Sequence, residues 1–420
     1  MTFYMGNETS MIQNNTIKIF SRFVCLFAIL ILSACSQNNS NKVNYNDCQS
    51  ISFPATLKNQ ITSKLSTYPD IPGAVVAVYH PSVGYSIASF GLSNKFPSTP
   101  MPVDAVFDVG SVMKLINWIA LEKAFEEGKV SYLNLISQYI PELATVLPGN
   151  PTVQNLTQHS TGLIDIPPSA LTDLLTHLGD AAPYTYTFSE ALGFLQNEDT
   201  NGFTNGIKDG FNVGAHWNYS TWGARIGAEI VMRSENKDIK EIVRTKIFSP
   251  LGLKSTFHMG FVDLPTKLAQ GYGNDQGDPN EPQEFWELSQ YQTASSLFGG
   301  NIWSSACDLL NFSTAISQPE REFLKPETIL NRTQSLLLIG GGQPNNTIYQ
   351  GRGVMKYSLF NTGDFWIHAG AGLSSHSSVT GYHESKKLAI TILTNLDPDL
   401  IQNDYGLHFE VMKIIDDFFI

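Results

Sequence analysis

Strand-like runs stand at both ends of this chain, and a long helical stretch separates them. Near the front, "GAVVAVYH" and "GYSIASFG" flank the turn signal "PSVG" and read as a hairpin. Near the end, "DFWIHAG", "HSSVTGYH" and "KLAITILTN" alternate or run apolar over strand lengths. Between them, from Ser111 to roughly Ile316, the pattern is mostly helical, broken by loops such as "LPGNPT" and "NDQGDPNEPQ". A short helix near Phe53 to Leu65 precedes the first strand, and "YGLHFEVMKIIDDFFI" closes the chain as an amphipathic helix. Elements so ordered predict an α+β fold. One antiparallel β-sheet is drawn from both chain termini and flanked by helices, and a mainly helical domain is inserted to face it. The expected boundaries are a sheet region of about 51–108 and 317–420 and a helical region of about 109–316, forming a single module over 51–420.

The chain has 420 residues, 42% hydrophobic and 15% charged, enough to bury a sizeable core. Its net charge of −12 repels polyphosphates, and no Lys/Arg cluster is interleaved with aromatics, so no nucleic-acid partner is expected. At the front, Lys18 and Arg22 precede the apolar run Phe23 to Leu32, which is too short to span a bilayer but suits a signal peptide. The run ends in "LSAC", which resembles a bacterial lipobox and makes Cys35 the lipidated residue, with translation best started at Met11. Residues 1–34 are then a lipoprotein signal peptide and 35–50 a polar tether. The protein would be held on the cell envelope through a lipid anchor, facing the periplasm, and Ser36 favours the outer membrane. A plain secretory peptide is the alternative. Only Cys48 and Cys307 are left for the folded part. One bridge between them is permitted but not demanded, and no zinc-site spacing occurs.

The stretch "FDVGSVMKLINWIALEKAF" sets a serine at the head of an apolar helix with a lysine one turn inside it. Residue i+3 returns to the same helix face, so Lys114 lies beside Ser111. A serine hydroxyl needs a base. A lysine walled in by Val112, Met113, Leu115 and Trp118 is driven by desolvation toward that role. The helix N-terminus adds unpaired N–H groups able to stabilise an oxyanion at Ser111. The bland reading is a capping serine and a lysine that snorkels to water. The same spacing recurs at Ser234 and Lys237, among polar residues typical of a solvated loop.

The pair resembles the SxxK element of serine β-lactamases and penicillin-binding proteins, a resemblance that implies two further elements, a second proton carrier and an edge strand. In "AHWNYSTWGARIG", Tyr219 just ahead of an apolar helix offers a phenol to relay a proton, whereas Tyr132 follows the first helix too closely to return to the site. His-x-Gly occurs at His177, His258 and His368, and only the last sits in a strand pattern. There His368 could present a charge or hydrogen bond to an acidic substrate group. Gly370 would let substrate backbone lie close, and the Ala371 N–H could be the second oxyanion donor.

Together with "IPGAVVAVYHPSVGYSIASFGLSN", "LTQHSTGLID", "IFSPLGLKSTFH" and "FGGNIWSSACDLL", these motifs follow one another in the order found in a known family. The chain resembles the serine β-lactamase, D-alanyl-D-alanine carboxypeptidase and esterase group, nearest its class C and carboxypeptidase branch. The resemblance covers most of Ile71 to Asn395. It implies that Ser111 is acylated by substrate, Lys114 is its base, Tyr219 the phenol of a YxN motif and His368 the head of a KTG-like motif. Ser111 and Ala371 would supply the oxyanion N–H groups, and no metal or organic cofactor belongs to this chemistry. Two positions depart from the family. Thr221 replaces an asparagine that helps hold the acyl side chain, and Ala369 replaces a hydroxyl that could hold a substrate carboxylate. Lys356 and Arg352 just upstream are the basic residues placed to compensate, and the plainer reading of both is a solvated strand-end charge. His159 and Gly162 in "LTQHSTGLID" have no evident chemical task and read as matters of shape. The expected function is a serine hydrolase working through an acyl-enzyme on a small-molecule or peptidyl substrate, carboxypeptidase-like or esterase before β-lactamase. The competing expectation is a non-catalytic envelope protein that binds cell-wall peptide or a partner.

Overall fold

The hairpin at the front of the chain forms as read, with β1 (Gly73–His80) and β2 (Gly84–Asn94) antiparallel and Tyr79 opposite Tyr85. The other edge of β1 is taken by β14 (Leu388–Thr394), which pairs Val76 with Ile392 and joins the two ends of the chain in one sheet. A computed structural model describes residues 53–200, 202–259, 267–273, 278–283, 288–343, 346–360, 363–396 and 406–419, all within one compact unit. The signal peptide, Cys35 and the tether fall outside the described residues.

From β14 the sheet continues through β13 (His376–His383), β12 (Gly363–Gly372), β11 (Met355–Phe360), β10 (Asn346–Gln350) and β9 (Leu337–Gln343). On the far side β2 is edged by β3 (Thr99–Pro100), which gives a nine-stranded sheet with antiparallel pairing throughout. Both faces are covered, which is why β1 and β14 read as continuous apolar runs rather than as alternation. Val75 and Ala77 point into the large core shared with the helical part, whereas Val76 and Val78 pack against Leu57, Ile61, Val411 and Ile415 of the two terminal helices, Ala55–Leu65 and Gly406–Phe418.

Smaller elements of the other kind occur within both regions. The helical region contains β8 (Ile302–Ser305), which pairs with β7 (Phe257–His258) and, at the region's border, with β4 (Val106–Asp108), and also the pair β5 (Phe203–Thr204) and β6 (Ile207–Lys208). The sheet region in turn contains the helix Pro326–Gln334 and the strands β9 to β11, which no apolar alternation announced. Cys307, at the start of the helix Ala306–Ser317, is disulfide-bonded, and Cys48, the partner the sequence permitted, lies outside the described residues. The other three cysteines all precede residue 53. No helix among the described residues is long and apolar enough to cross a membrane.

Candidate active site

Ser111 ends the short loop after β4 and begins the helix Val112–Glu126, with helical dihedrals of its own (φ −64°, ψ −10°) and no side-chain capping bond. It is therefore not a capping serine. Its Oγ lies 2.8 Å from Lys114 Nζ and 2.8 Å from the Tyr219 hydroxyl. Lys114 does not snorkel: it is 3% exposed, forms no ion pair and makes its side-chain hydrogen bond to Ser111 alone among the described residues. Its Nζ also stands 5.0 Å from the centre of the Tyr219 ring. An amine one helical turn away and a phenol 108 residues away thus meet around one hydroxyl oxygen.

Tyr219 reaches this point because its helix, Thr221–Glu235, packs on the Ser111 helix at a glycine. A Cβ on Gly227 would lie 2.1 Å from the Trp118 ring, so only glycine lets the indole settle there. The following turn is tied down by Ser220, whose Oγ accepts the Gly223 N–H (2.8 Å) and donates to Ile164 O (2.7 Å). Thr221, buried at the helix start, has its N–H held by Asp165 Oδ1 at 2.7 Å and touches neither Ser111 nor Lys114 through any hydrogen bond.

The third element arrives on β12. Its pairing with β11 stops at Ile367 opposite Met355, so the side of His368 to Gly372 that faces β11 has no strand partner among the described residues, while β13 pairs with them on the other. The glycines are read differently by the structure than by the sequence. The backbone pressed against Gly370 belongs to the protein itself: a Cβ there would lie 2.1 Å from Val109 O and 2.8 Å from Ser111 N. Gly110 makes the reciprocal approach, with φ +49° and a would-be Cβ 2.1 Å from Ala371 O. The Ser111 N–H, at the open end of its helix, donates to no other group among the described residues. Ser111 and Ala371, the two expected oxyanion residues, consequently lie on facing backbones. Ser378 Oγ fastens the seam by donating to Val109 O (2.9 Å).

His368 is buried on the helical side of the sheet, beside Lys114. Burial and the Lys114 charge push its pKa down to about 4, and its Nδ1 sits 2.9 Å from Ala369 O. Nδ1–H therefore donates to that carbonyl, and the imidazole is neutral with a lone pair on Nε2. Of the two roles expected of His368, a charge or a hydrogen bond, the neutral ring offers the hydrogen bond at neutral pH. The methyl of Ala369 packs on the second core layer, with the terminal helices. Lys356 pairs with Asp364 (2.6 Å), and Arg352 donates to Gln154 Oε1 (2.7 Å) while lying over the Tyr132 ring (4.2 Å), so both candidate compensating cations are engaged elsewhere. His368 also lines a crevice of about 360 Å³ that runs between Ile316, Ile329, Val354, Trp366 and Tyr382 and whose lining does not include Ser111.

The decoys fall apart on the same map. Ser234 Oγ bonds back to Val231 O and Lys237 pairs with Glu241, both at the far end of the Tyr219 helix. His177 stacks on Tyr184 at 3.9 Å, and His258 is buried with Phe248 nearby. Two residues that sequence reasoning missed belong to the site. His159 lies 4.6 Å ring to ring from Tyr219. Asp108 is fully buried below the seam, accepts the Gly110 N–H at 2.9 Å, and has its pKa raised to about 6 by burial against the opposing pull of backbone N–H groups. The acidic residue two before "GS" was the available signal for Asp108; for His159 there was only its place in "HSTG". Among the described residues no cluster of three or more His, Cys, Asp or Glu could hold a metal ion.

The comparisons with known proteins agree with this architecture. The Beta-lactamase family profile matches residues 61–410. A beta-lactamase of Providencia stuartii is 24% identical over 226 residues, covering 53% of this chain and 51% of that protein. Penicillin-binding protein 4* of Bacillus subtilis is 22% identical over 242 residues, covering 55% and 49%. The chain thus spans about half the length of these curated relatives. Among solved structures, a D-amino acid amidase of Ochrobactrum anthropi superposes with a TM-score of 0.69 at 20% identity, over 87% of this chain and all of that one, a likeness of fold. With the family profile spanning most of its length, the chain belongs to the beta-lactamase family, whose members are serine hydrolases working through acyl-enzymes.

Proposed function

We propose that this protein is a serine hydrolase that forms an acyl-enzyme at Ser111 and acts on small esters or amides that carry no free carboxylate on the leaving side. The observation that supports the reaction is the meeting of Lys114 Nζ and Tyr219 OH at 2.8 Å from one hydroxyl oxygen. In this reading Lys114 accepts the Ser111 proton as Oγ attacks the substrate carbonyl. The negative charge on the carbonyl oxygen is met by the Ser111 and Ala371 N–H groups. Tyr219 passes a proton to the leaving alcohol or amine, and water then reverses the sequence to free the acid.

Neutral His368, and Lys356 and Arg352 held by other partners, favour the choice of substrate. A site short of a cation gains little from a terminal carboxylate. The leader sequence and the disulfide at Cys307 support a place on the cell envelope, in an oxidising compartment, with Cys35 as the lipid anchor.

Intact-mass spectrometry after exposure to a fluorophosphonate tests the reaction: one adduct on the wild type and none on Ser111→Ala is expected. Absence of an adduct, together with no hydrolysis of p-nitrophenyl butyrate, would overturn it. Faster turnover of a D-Ala-D-Ala peptide or of nitrocefin than of the ester would overturn the substrate class.

A further inference from the structure

His159 holds both residues that flank Tyr219. Its backbone carbonyl accepts the Asn218 N–H at 2.7 Å, and its Nδ1 accepts the Ser220 N–H at 3.2 Å. Between these two bonds the imidazole lies against the phenol ring, centroids 4.6 Å apart and planes 36° from parallel. Trp217 closes the other side, meeting the imidazole edge-on at 6.5 Å and the Tyr219 ring at 6.3 Å. The geometry is specific enough to require an unusual backbone: His159 has φ +52°, a region that costs a non-glycine residue free energy and persists where surrounding contacts impose it.

We propose that His159 is a positioning residue that fixes the Tyr219 phenol at hydrogen-bonding distance from Ser111 Oγ, by clamping the chain on both sides of the tyrosine and bearing on its ring. The inference rests on the reading of Ser111 as nucleophile and Tyr219 as proton relay. Tyr219 needs such help because it precedes its helix: Thr221 is the first helical residue, so the backbone of Tyr219 is held by no helical ladder. An unclamped loop lets the hydroxyl, at the end of a long side chain, swing through more than the tolerance of a proton transfer.

The acceptor role of His159 demands a neutral ring with its proton on Nε2. Burial, the Lys114 charge and neighbouring His368 push the pKa down to about 3, so the Nδ1 lone pair stays available wherever the protein is folded. A histidine kept merely for packing would not need this tautomer; one that anchors the Ser220 N–H does.

The test is a double-mutant cycle on p-nitrophenyl butyrate with His159→Asn, Tyr219→Phe and both together. Asparagine tolerates positive φ and lacks the ring. His159→Asn is expected to lower kcat by about 10- to 100-fold with KM within about threefold, and to lose nearly all of that effect in the Tyr219→Phe background, because the two residues act as one unit. Equal factors in both backgrounds, or an unchanged kcat, would overturn the proposal. Should His159→Asn not fold, His159→Gln runs the same cycle. A crystal structure of either variant is decisive even if the wild type proves inert toward esters. Tyr219 OH displaced from Ser111 supports the clamp, and Tyr219 OH still within hydrogen-bond reach of Ser111 overturns it. Loss of wild-type labelling and turnover sinks the hydrolase reading instead, so the two failures are told apart.

Discussion

Substituting Gly370 by alanine adds one methyl group at the seam between β12 and the start of the Ser111 helix, and the consequence can be worked from distances. The new Cβ would lie 2.1 Å from Val109 O, 2.8 Å from Ser111 N and 2.8 Å from Ser378 Oγ. Carbon and oxygen in comfortable contact are about 3.5 Å apart, so the strand and the helix start must part by about 1 Å or more. The first obstacle is backbone and cannot rotate away. Overpacking of this kind costs about 1–3 kcal/mol of stability, read as a drop of several degrees in melting temperature. The catalytic cost is of similar size. Ser111 and Ala371, the facing residues proposed to hold the oxyanion, separate by the same distance, and a misplacement of about 1 Å can cost about 10²-fold in rate. Stopped-flow acylation by a fluorophosphonate and steady-state ester hydrolysis should both fall by that factor with KM little changed, since the defect lies in holding the transition state. Gly370→Ala with turnover within threefold of wild type and an unchanged melting temperature would refute the reasoning, because it would show that the seam yields without consequence.

Three further outcomes follow from the same structure. Lys114→Met should lower kcat by about 10²- to 10⁴-fold while leaving the melting temperature equal or higher, since a buried amine with no carboxylate partner is exchanged for an apolar chain of similar length; parallel kinetics and thermal melts check it. Arg332, whose guanidinium meets the Glu122 carboxylate in a buried pair and donates to Ile316 O at 2.8 Å, should cost about 3–5 kcal/mol when changed alone to Met, with part regained in the Arg332→Met/Glu122→Met double variant, by urea unfolding. Acid should unfold the protein early. His159, His258, His376 and His408 have folded pKa values lowered by burial to about 3 and His368 to about 4, against 6.5 unfolded, so their contribution is present above pH 6.5 and lost as pH falls. Asp108 and Asp308, raised by burial to about 6, act in the opposite sense over the same window. For these seven groups five protons against two leave three, a slope of up to about 4 kcal/mol per pH unit near pH 5, and His80 and His383, also lowered by burial, act in the same sense as the other histidines. A melting temperature flat from pH 6.5 to 4.5 would contradict it.

What could be read from the sequence was what is encoded locally. Ser111 and Lys114 share a helix turn, so their contact follows from the helix alone, and the pairing of β1 with β2 follows from a turn signal between two apolar runs. Tyr219 and His368 could be nominated because each stands at a recognisable element boundary, a helix start and a strand. His159 could not. Its partners are about sixty residues away and are reached through its carbonyl as much as its ring, and a backbone carbonyl leaves no mark on the residue type. Asp108 escaped for a related reason, since an acid near a nucleophile looks exposed until the sheet closes over it. The strands β7 and β8 are too short to show a period, and β9 carries three consecutive glycines at 340–342 that hide its strand character.

Glycine exposes the limit most sharply. At Gly370 the missing side chain was read as room for a substrate, but the room is filled by Val109 and Ser111. Gly110 and Gly227 do the same for Ala371 and Trp118. The letter announces that something comes close without saying what, because the partner is chosen by the whole fold. Yet these three approaches set the distances on which the chemistry depends. Gly227 settles the tyrosine helix on the serine helix, while Gly110 and Gly370 bring β12 against the serine. The motifs name the reacting groups, and the glycines between them decide whether those groups are near enough to react.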